Sequence, residues 1–203
     1  MLLTNLLAED QMIRKCWQND LQTMYAIIND AAQAYKGVIP KDRWQDPYMP
    51  LDELKHEIEN GIIFWGIEEG GNLVGIMGIQ DKVNVTLIRH AYVLTNMQNR
   101  GMGTQLLQHL EGMTKKPVLI GTWETATWAI RFYERNGYCL LSRGETEQLL
   151  KTYWNIPERQ VETSVVLANS TWEVTNKVSG NDALEIKKRA RPKDIAFQDV
   201  IKK

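Results

Sequence analysis

The sequence is short of cysteine, of long apolar runs and of any surplus of one charge. Cys16 and Cys139 are its two cysteines, far apart and without metal-ligand spacing. That excludes a disulfide scaffold and a cysteine zinc site, and it fits reduced thiols in a cytoplasmic setting. No metal is expected. No stretch approaches the roughly twenty apolar residues of a membrane span. The apolar start from Met1 to Leu7 lacks a basic leader and meets Glu9-Asp10 too soon for a signal peptide. A formal net charge of -1 leaves no strong field to recruit nucleic acid. Neither a membrane nor a nucleic acid is expected as partner. What is present, 43% hydrophobic and 24% charged residues over 203 positions, describes one globular domain with a full core and room for a tail.

Along the chain, apolar residues at three- and four-residue steps predict a helix from Asp10 to about Tyr35, with Asn19-Asp20 as the point where it divides. The loop from Lys41 to Pro50 is rich in rings and prolines, and a short helix from Leu51 to Asn60 stops at Gly61. Three strand-like runs follow at Ile62–Ile67, Leu73–Gln80 and Asn84–Leu94, the first two joined by a Gly70-Gly71 turn, which reads as an antiparallel meander. A helix from Gly101 to about Met113 and a compact apolar strand at Val118–Trp123 complete a crossover, so that strand should lie parallel to Asn84–Leu94. A helix at Glu124–Asn136, a strand near Tyr138–Ser142, a helix near Glu145–Trp154 and a strand near Val161–Leu167 follow. The fold class is α/β, with a mixed, mostly antiparallel sheet flanked by helices. From Asn169 to Lys203 eight Lys/Arg stand against five Asp/Glu, a basic extension that reads as a contact for an acidic partner, a solvated tail, or a tail docked on the second subunit of a homodimer.

One segment carries chemistry. Between a strand end at Val93 and a helix start, Gln98-Asn99-Arg100-Gly101-Met102-Gly103-Thr104 places two glycines close together. Glycine admits the backbone angles that converge several N–H groups on one point, and the helix dipole and Arg100 favour an anion there. An ordinary helix-start turn has the same local appearance. The segment lacks the Gly-Lys-Ser/Thr ending of a P-loop and the third glycine of a dinucleotide fold. About thirty residues on, Trp128-Ala129-Ile130-Arg131-Phe132-Tyr133-Glu134-Arg135-Asn136-Gly137-Tyr138 puts an aromatic pair on a helix that turns directly into a strand.

Together, Gln-x-x-Gly-x-Gly after a strand and Ala-x-x-Phe-Tyr-x-x-x-Gly-Tyr downstream resemble the GNAT superfamily of acyl-CoA N-acyltransferases, over roughly residues 1–168. The resemblance implies acetyl-CoA as cosubstrate, an amine of a small molecule or peptide as acceptor, and one splayed parallel strand pair. It assigns the pyrophosphate to Gln98–Thr104, the pantetheine arm to the strand edge at Val93, and protonation of the leaving thiolate to Tyr133. Family members often carry asparagine where this chain has Ala126, which leaves Trp128 to supply a cofactor contact.

For a general base the sequence offers Glu124, at the end of the strand Val118–Trp123, and His90, on the strand before the glycine turn. Glu124 reads equally as a first-turn helix carboxylate, and His90 as a structural histidine. Strand alternation puts Arg89, Ala91 and Val93 on one face and His90 and Tyr92 on the other, and a single bulge would exchange them. Arg89 is a candidate for orienting the acceptor, with Trp44, Tyr48 and Trp123 as candidate pocket walls. Two alternatives share the fold: an acyl-CoA sensor without catalysis, and a protein-interaction module that works through its basic tail.

Overall fold

The computed structural model describes residues 11–172 and 174. Most of the extension from Asn169 onward lies outside the described residues. The elements are β1 (Met12–Lys15), α1 (Leu21–Ala31), α2 (Leu51–Glu59), β2 (Ile63–Glu69), β3 (Asn72–Asp81), β4 (Thr86–Val93), α3 (Met102–Glu111), β5 (Val118–Trp123), α4 (Thr127–Arg135), β6 (Cys139–Leu140), α5 (Arg143–Tyr153), α6 (Glu158–Glu162) and β7 (Ser164–Ala168). The strands form one sheet in the order β1-β2-β3-β4-β5-β7-β6. Every pairing is antiparallel except β4 with β5, where Thr86, Leu87 and Ile88 face Val118, Leu119 and Ile120 in parallel register. The mixed sheet with one parallel pair is as expected from the order of elements.

The start of the chain differs from the helix expected there. Met12–Lys15 is an edge strand on β2, extended by the Cys16 N–H donating to the Phe64 carbonyl at 2.9 Å. Four residues hold too little periodicity to distinguish a strand from a helical turn, and the exposed edge of β2 offers a backbone ladder that decides it. Arg14 fixes the strand end with bonds of 2.7 Å to both Asp20 and Glu68. Near the other end the strand expected at Val161–Leu167 is present as β7, but it begins at Ser164, because Val161 and Glu162 close the short helix α6. Between β6 and β7 the chain makes a helical excursion whose entry is capped by Ser142, with Glu145 closing the capping box.

Helices cover both faces. On one, Leu106, Leu107 and Leu110 of α3 and Tyr133 of α4 bury against Met77, Ile88 and Ile120. On the other, Met24, Ile27 and Ile28 of α1 and Leu54 of α2 bury against Ile62, Phe64 and Ile76. A further cluster seats Leu149, Leu150 and Trp154 on Leu119 and Val166. Covered on both sides, β5 is apolar at consecutive positions rather than alternating.

Candidate active site

The parallel pairing stops at Ile88 and Ile120, although β4 runs on to Val93 and β5 to Trp123. A bulge explains the divergence. The β3 register passes from Ile76 opposite Tyr92 to Gly78 opposite Arg89, so His90 and Ala91 face the single residue Met77, and His90 takes a left-handed φ of 54°. Such a bulge bends and twists its strand. It swings β4 away from β5, which stays tied to β7. The cleft between them is a cavity of about 1010 Å³ that runs from the start of α3 to the aromatic loop before α2.

The glycine turn forms the floor of one end. Asn99 at φ 62° and Gly101 at φ 81° are both left-handed, and the Gln98 side-chain amide donates to the Val93 carbonyl at 3.0 Å, tying the turn to the strand. No acceptor among the described residues takes the N–H groups of Met102, Gly103 or Thr104; the first such bond of the helix is Gln105 N–H to the Gly101 carbonyl at 3.0 Å. A convergent set of free donors at the positive end of a helix suits a phosphate. Arg100 does not line the cavity: its guanidinium pairs with Glu69 at 3.1 Å, whereas Arg135 of α4 is in the lining. Gly103 serves packing as well, since a Cβ there would stand 3.2 Å from the Phe132 ring. Gly101 has open space around its Cα, and its requirement is the backbone angle alone.

In the middle of the cleft Tyr133 is buried beside Phe132 and Tyr138 with its hydroxyl unbonded among the described residues. Burial lifts it well above the ordinary tyrosine value, so it stays protonated. Across from it, Arg89 and His90 both reach the Glu57 carboxylate of α2, each at 3.1 Å. Strand alternation placed them on opposite faces; the bulge removes that alternation. Burial opposes the charge on Glu57, but the His90 hydrogen bond and the neighbouring cations outweigh it, and the carboxyl titrates below its ordinary value. Burial also pulls His90 below its usual value, more than Glu57 restores, so the ring is neutral near pH 7. Nothing in the sequence marks Glu57, which joins the site only through the packing of α2.

The far end is aromatic. Tyr48 and Trp123 line it, joined by the Trp123 indole N–H donating to the Tyr48 hydroxyl at 3.1 Å. Trp44 tilts on Tyr48 from outside the lining, while Trp128 lines the cavity and tilts on Tyr35. Tyr35 and Tyr92, which also line the cavity, were not among the sequence candidates. Glu124 lies exposed beyond the end of β5 and does not line the cavity; its N–H donates to the Thr163 carbonyl at 3.0 Å. Trp154 closes the back, its indole 3.3 Å from where a Gly121 Cβ would stand. No group of three His, Cys, Asp or Glu among the described residues is placed to hold a metal, and no described helix is long and apolar enough to cross a membrane.

Comparison with known proteins agrees with the resemblance seen in the motifs. Residues 60–139 match the family model of the acetyltransferase (GNAT) domain. No curated protein matches the chain significantly. Among solved structures, the PaiA N-acetyltransferase of Thermoplasma acidophilum, in complex with coenzyme A, superposes with a TM-score of 0.60 at 17% identity, over 79% of this chain and 98% of that one. The ribosomal-protein-S18-alanine N-acetyltransferase of Escherichia coli gives 0.54 at 17% identity, over 79% and 93%. A GNAT family acetyltransferase of Elizabethkingia anophelis with acetyl-CoA bound gives 0.51 at 20% identity, over 79% and 98%. At these identities the superpositions establish the fold.

Proposed function

We propose that this chain, which carries the GNAT acetyltransferase domain match over residues 60–139, transfers an acetyl group from acetyl-CoA directly to an amine bound at the aromatic end of the cleft. The observation that carries the reading is the opening of β4 from β5 directly onto the unpartnered N–H groups of Met102, Gly103 and Thr104. The pyrophosphate sits on those donors, with Gln98 and Asn99 shaping the turn, Arg135 rather than Arg100 adding charge, and Trp128 against the cofactor. The pantetheine arm follows the freed β4 edge at Val93.

An alkyl ammonium with a pKa of about 10 must give up its proton first, a cost of about 4 kcal/mol near neutral pH. His90 is the base. Its Nε2–H donates to Glu57, which leaves the lone pair on Nδ1 to take the amine proton. Glu57 is a positioning residue that fixes this tautomer, and Arg89 holds Glu57 in place. The amine nitrogen then bonds to the acetyl carbon, the carbon–sulfur bond breaks, and Tyr133 gives its proton to the departing thiolate and regains one from the acylated nitrogen, which leaves a neutral amide. The bulge at His90–Ala91 supplies backbone N–H groups released from the ladder, which polarise the thioester carbonyl. Exposed Glu124 takes no part.

Titrating the full chain with acetyl-CoA in a calorimeter, and then following thiol release over a panel of amines, tests the reading. Micromolar binding with amine-dependent thiol release is expected; absence of acetyl-CoA binding overturns it.

A further inference from the structure

The acceptor end of the cavity has a composition that selects its substrate. Its wall is a run of rings: Trp128 lies against Tyr35 and Tyr35 stacks on Tyr48, each pair with centroids 5.5 Å apart, and Trp44 backs Tyr48 at 5.7 Å. The two tyrosine hydroxyls among these rings are occupied within the protein. Tyr48 bonds Trp123 and Tyr92, and Tyr35 bonds Thr122. What the tyrosines leave for a ligand is ring surface.

Charge points the same way. Among the described residues no aspartate or glutamate lines the cavity. Glu57, one layer behind, is already held by Arg89 and His90. Glu53, near Tyr48, is 3.5 Å from the Gln45 amide and, through burial, titrates above its ordinary value. A substrate with two or more ammonium groups would leave its hydration shell for a site without a carboxylate and with Arg89 in the wall, which is unfavourable. A substrate carboxylate fares no better, because Arg89 is paired. A single ammonium, by contrast, is attracted by the faces of tyrosine and tryptophan rings until His90 takes its proton.

We propose that the acceptor is a monoamine with an aromatic body, and that polyamines and amino acids are refused. The proposal rests on the acetyl-transfer reading of the same cleft. Ring-on-ring contacts add to area burial, so an aromatic monoamine should bind better than an alkyl one of similar size.

The full chain, with and without saturating CoA, is titrated with 2-phenylethylamine, n-hexylamine, spermidine and glutamate. Phenylethylamine is expected to bind about tenfold more tightly than hexylamine, with no detectable heat from spermidine or glutamate. Tyr48→Leu should lower phenylethylamine affinity about tenfold with CoA affinity retained as the check on folding. Gln160→Glu, which introduces a carboxylate into the lining, should admit spermidine. Spermidine or glutamate binding as tightly as phenylethylamine overturns the proposal, as does equal affinity for the two monoamines or silence from all four. Amine binding is read apart from transfer. Loss of CoA binding with the amine preference intact sinks the acetyl-transfer reading alone.

Discussion

The Glu57 carboxylate and the His90 imidazole meet at 3.1 Å although 33 residues separate them, because a left-handed residue in a β-bulge turns the ring toward α2. If His90 is the base, His90→Gln should lower kcat by about a hundredfold, and the acid limb of the kcat/KM profile should disappear. In the wild type that limb lies below the ordinary histidine value, as burial dictates. Glu57 raises the His90 pKa, so Glu57→Gln should move the limb to still lower pH and reduce kcat about tenfold through the misplaced tautomer. An unmoved limb in Glu57→Gln would show that the carboxylate only supports the fold.

The same pair sets a stability window. His90 titrates lower in the folded than in the unfolded chain, so its contribution is full above about pH 6.5 and is lost as pH falls through the folded value. Glu57, also lowered, adds a second loss from about pH 4.5 downward. Urea midpoints should therefore fall between pH 7 and pH 5, and His90→Gln should flatten that decline. An equally steep decline in the variant would assign the loss to other groups.

Tyr133→Phe keeps the ring contacts with Phe132 and Tyr138 and removes the hydroxyl. The expected result is a kcat about a hundredfold lower with little change in KM for acetyl-CoA. A wild-type kcat with a lower melting temperature would make Tyr133 a packing residue.

The two turn glycines should fail differently. Gly101→Ala meets no atom within 4 Å but must hold φ at 81°, a strain of about 1–2 kcal/mol, and CoA affinity should fall with it. Gly103→Val drives into Phe132, so the cost is overpacking of about 1–3 kcal/mol, and Phe132→Leu in the same chain should recover part of it. Chemical denaturation of the two single variants and the pair, alongside CoA titration, separates strain from collision. Failure of Phe132→Leu to restore any stability would refute the packing role.

Trp154 is the back wall of the cleft and part of the α5 cluster. Trp154→Ala should cost about 3–5 kcal/mol and raise the acceptor KM more than the acetyl-CoA KM. Equal effects on both substrates would mean that the wall serves the fold alone.

Much of this was open to sequence reading because it rests on local chemistry. Period and punctuation mark the meander, the crossover and its parallel strand, and the paired glycines before α3 mark a turn that frees backbone donors. The Phe132-Tyr133 pair is tied to its helix by spacing alone. The edge strand at Met12–Lys15 was not open in this way, since four residues carry no decisive period and the partner that pairs them lies at residues 65–68. The same limit applies to the base. Glu124 and His90 were both candidates on sequence, His90 the less secure, and a two-against-one register with Met77 sets its imidazole against Glu57 and in the cleft lining, whereas Glu124 lies outside that lining. Backbone angles, caps and hydrophobic period act over a few residues and are written in the chain. Which carboxylate reaches which ring, and which rings share a wall, depends on helices docking across a sheet, and only the tertiary packing decides it.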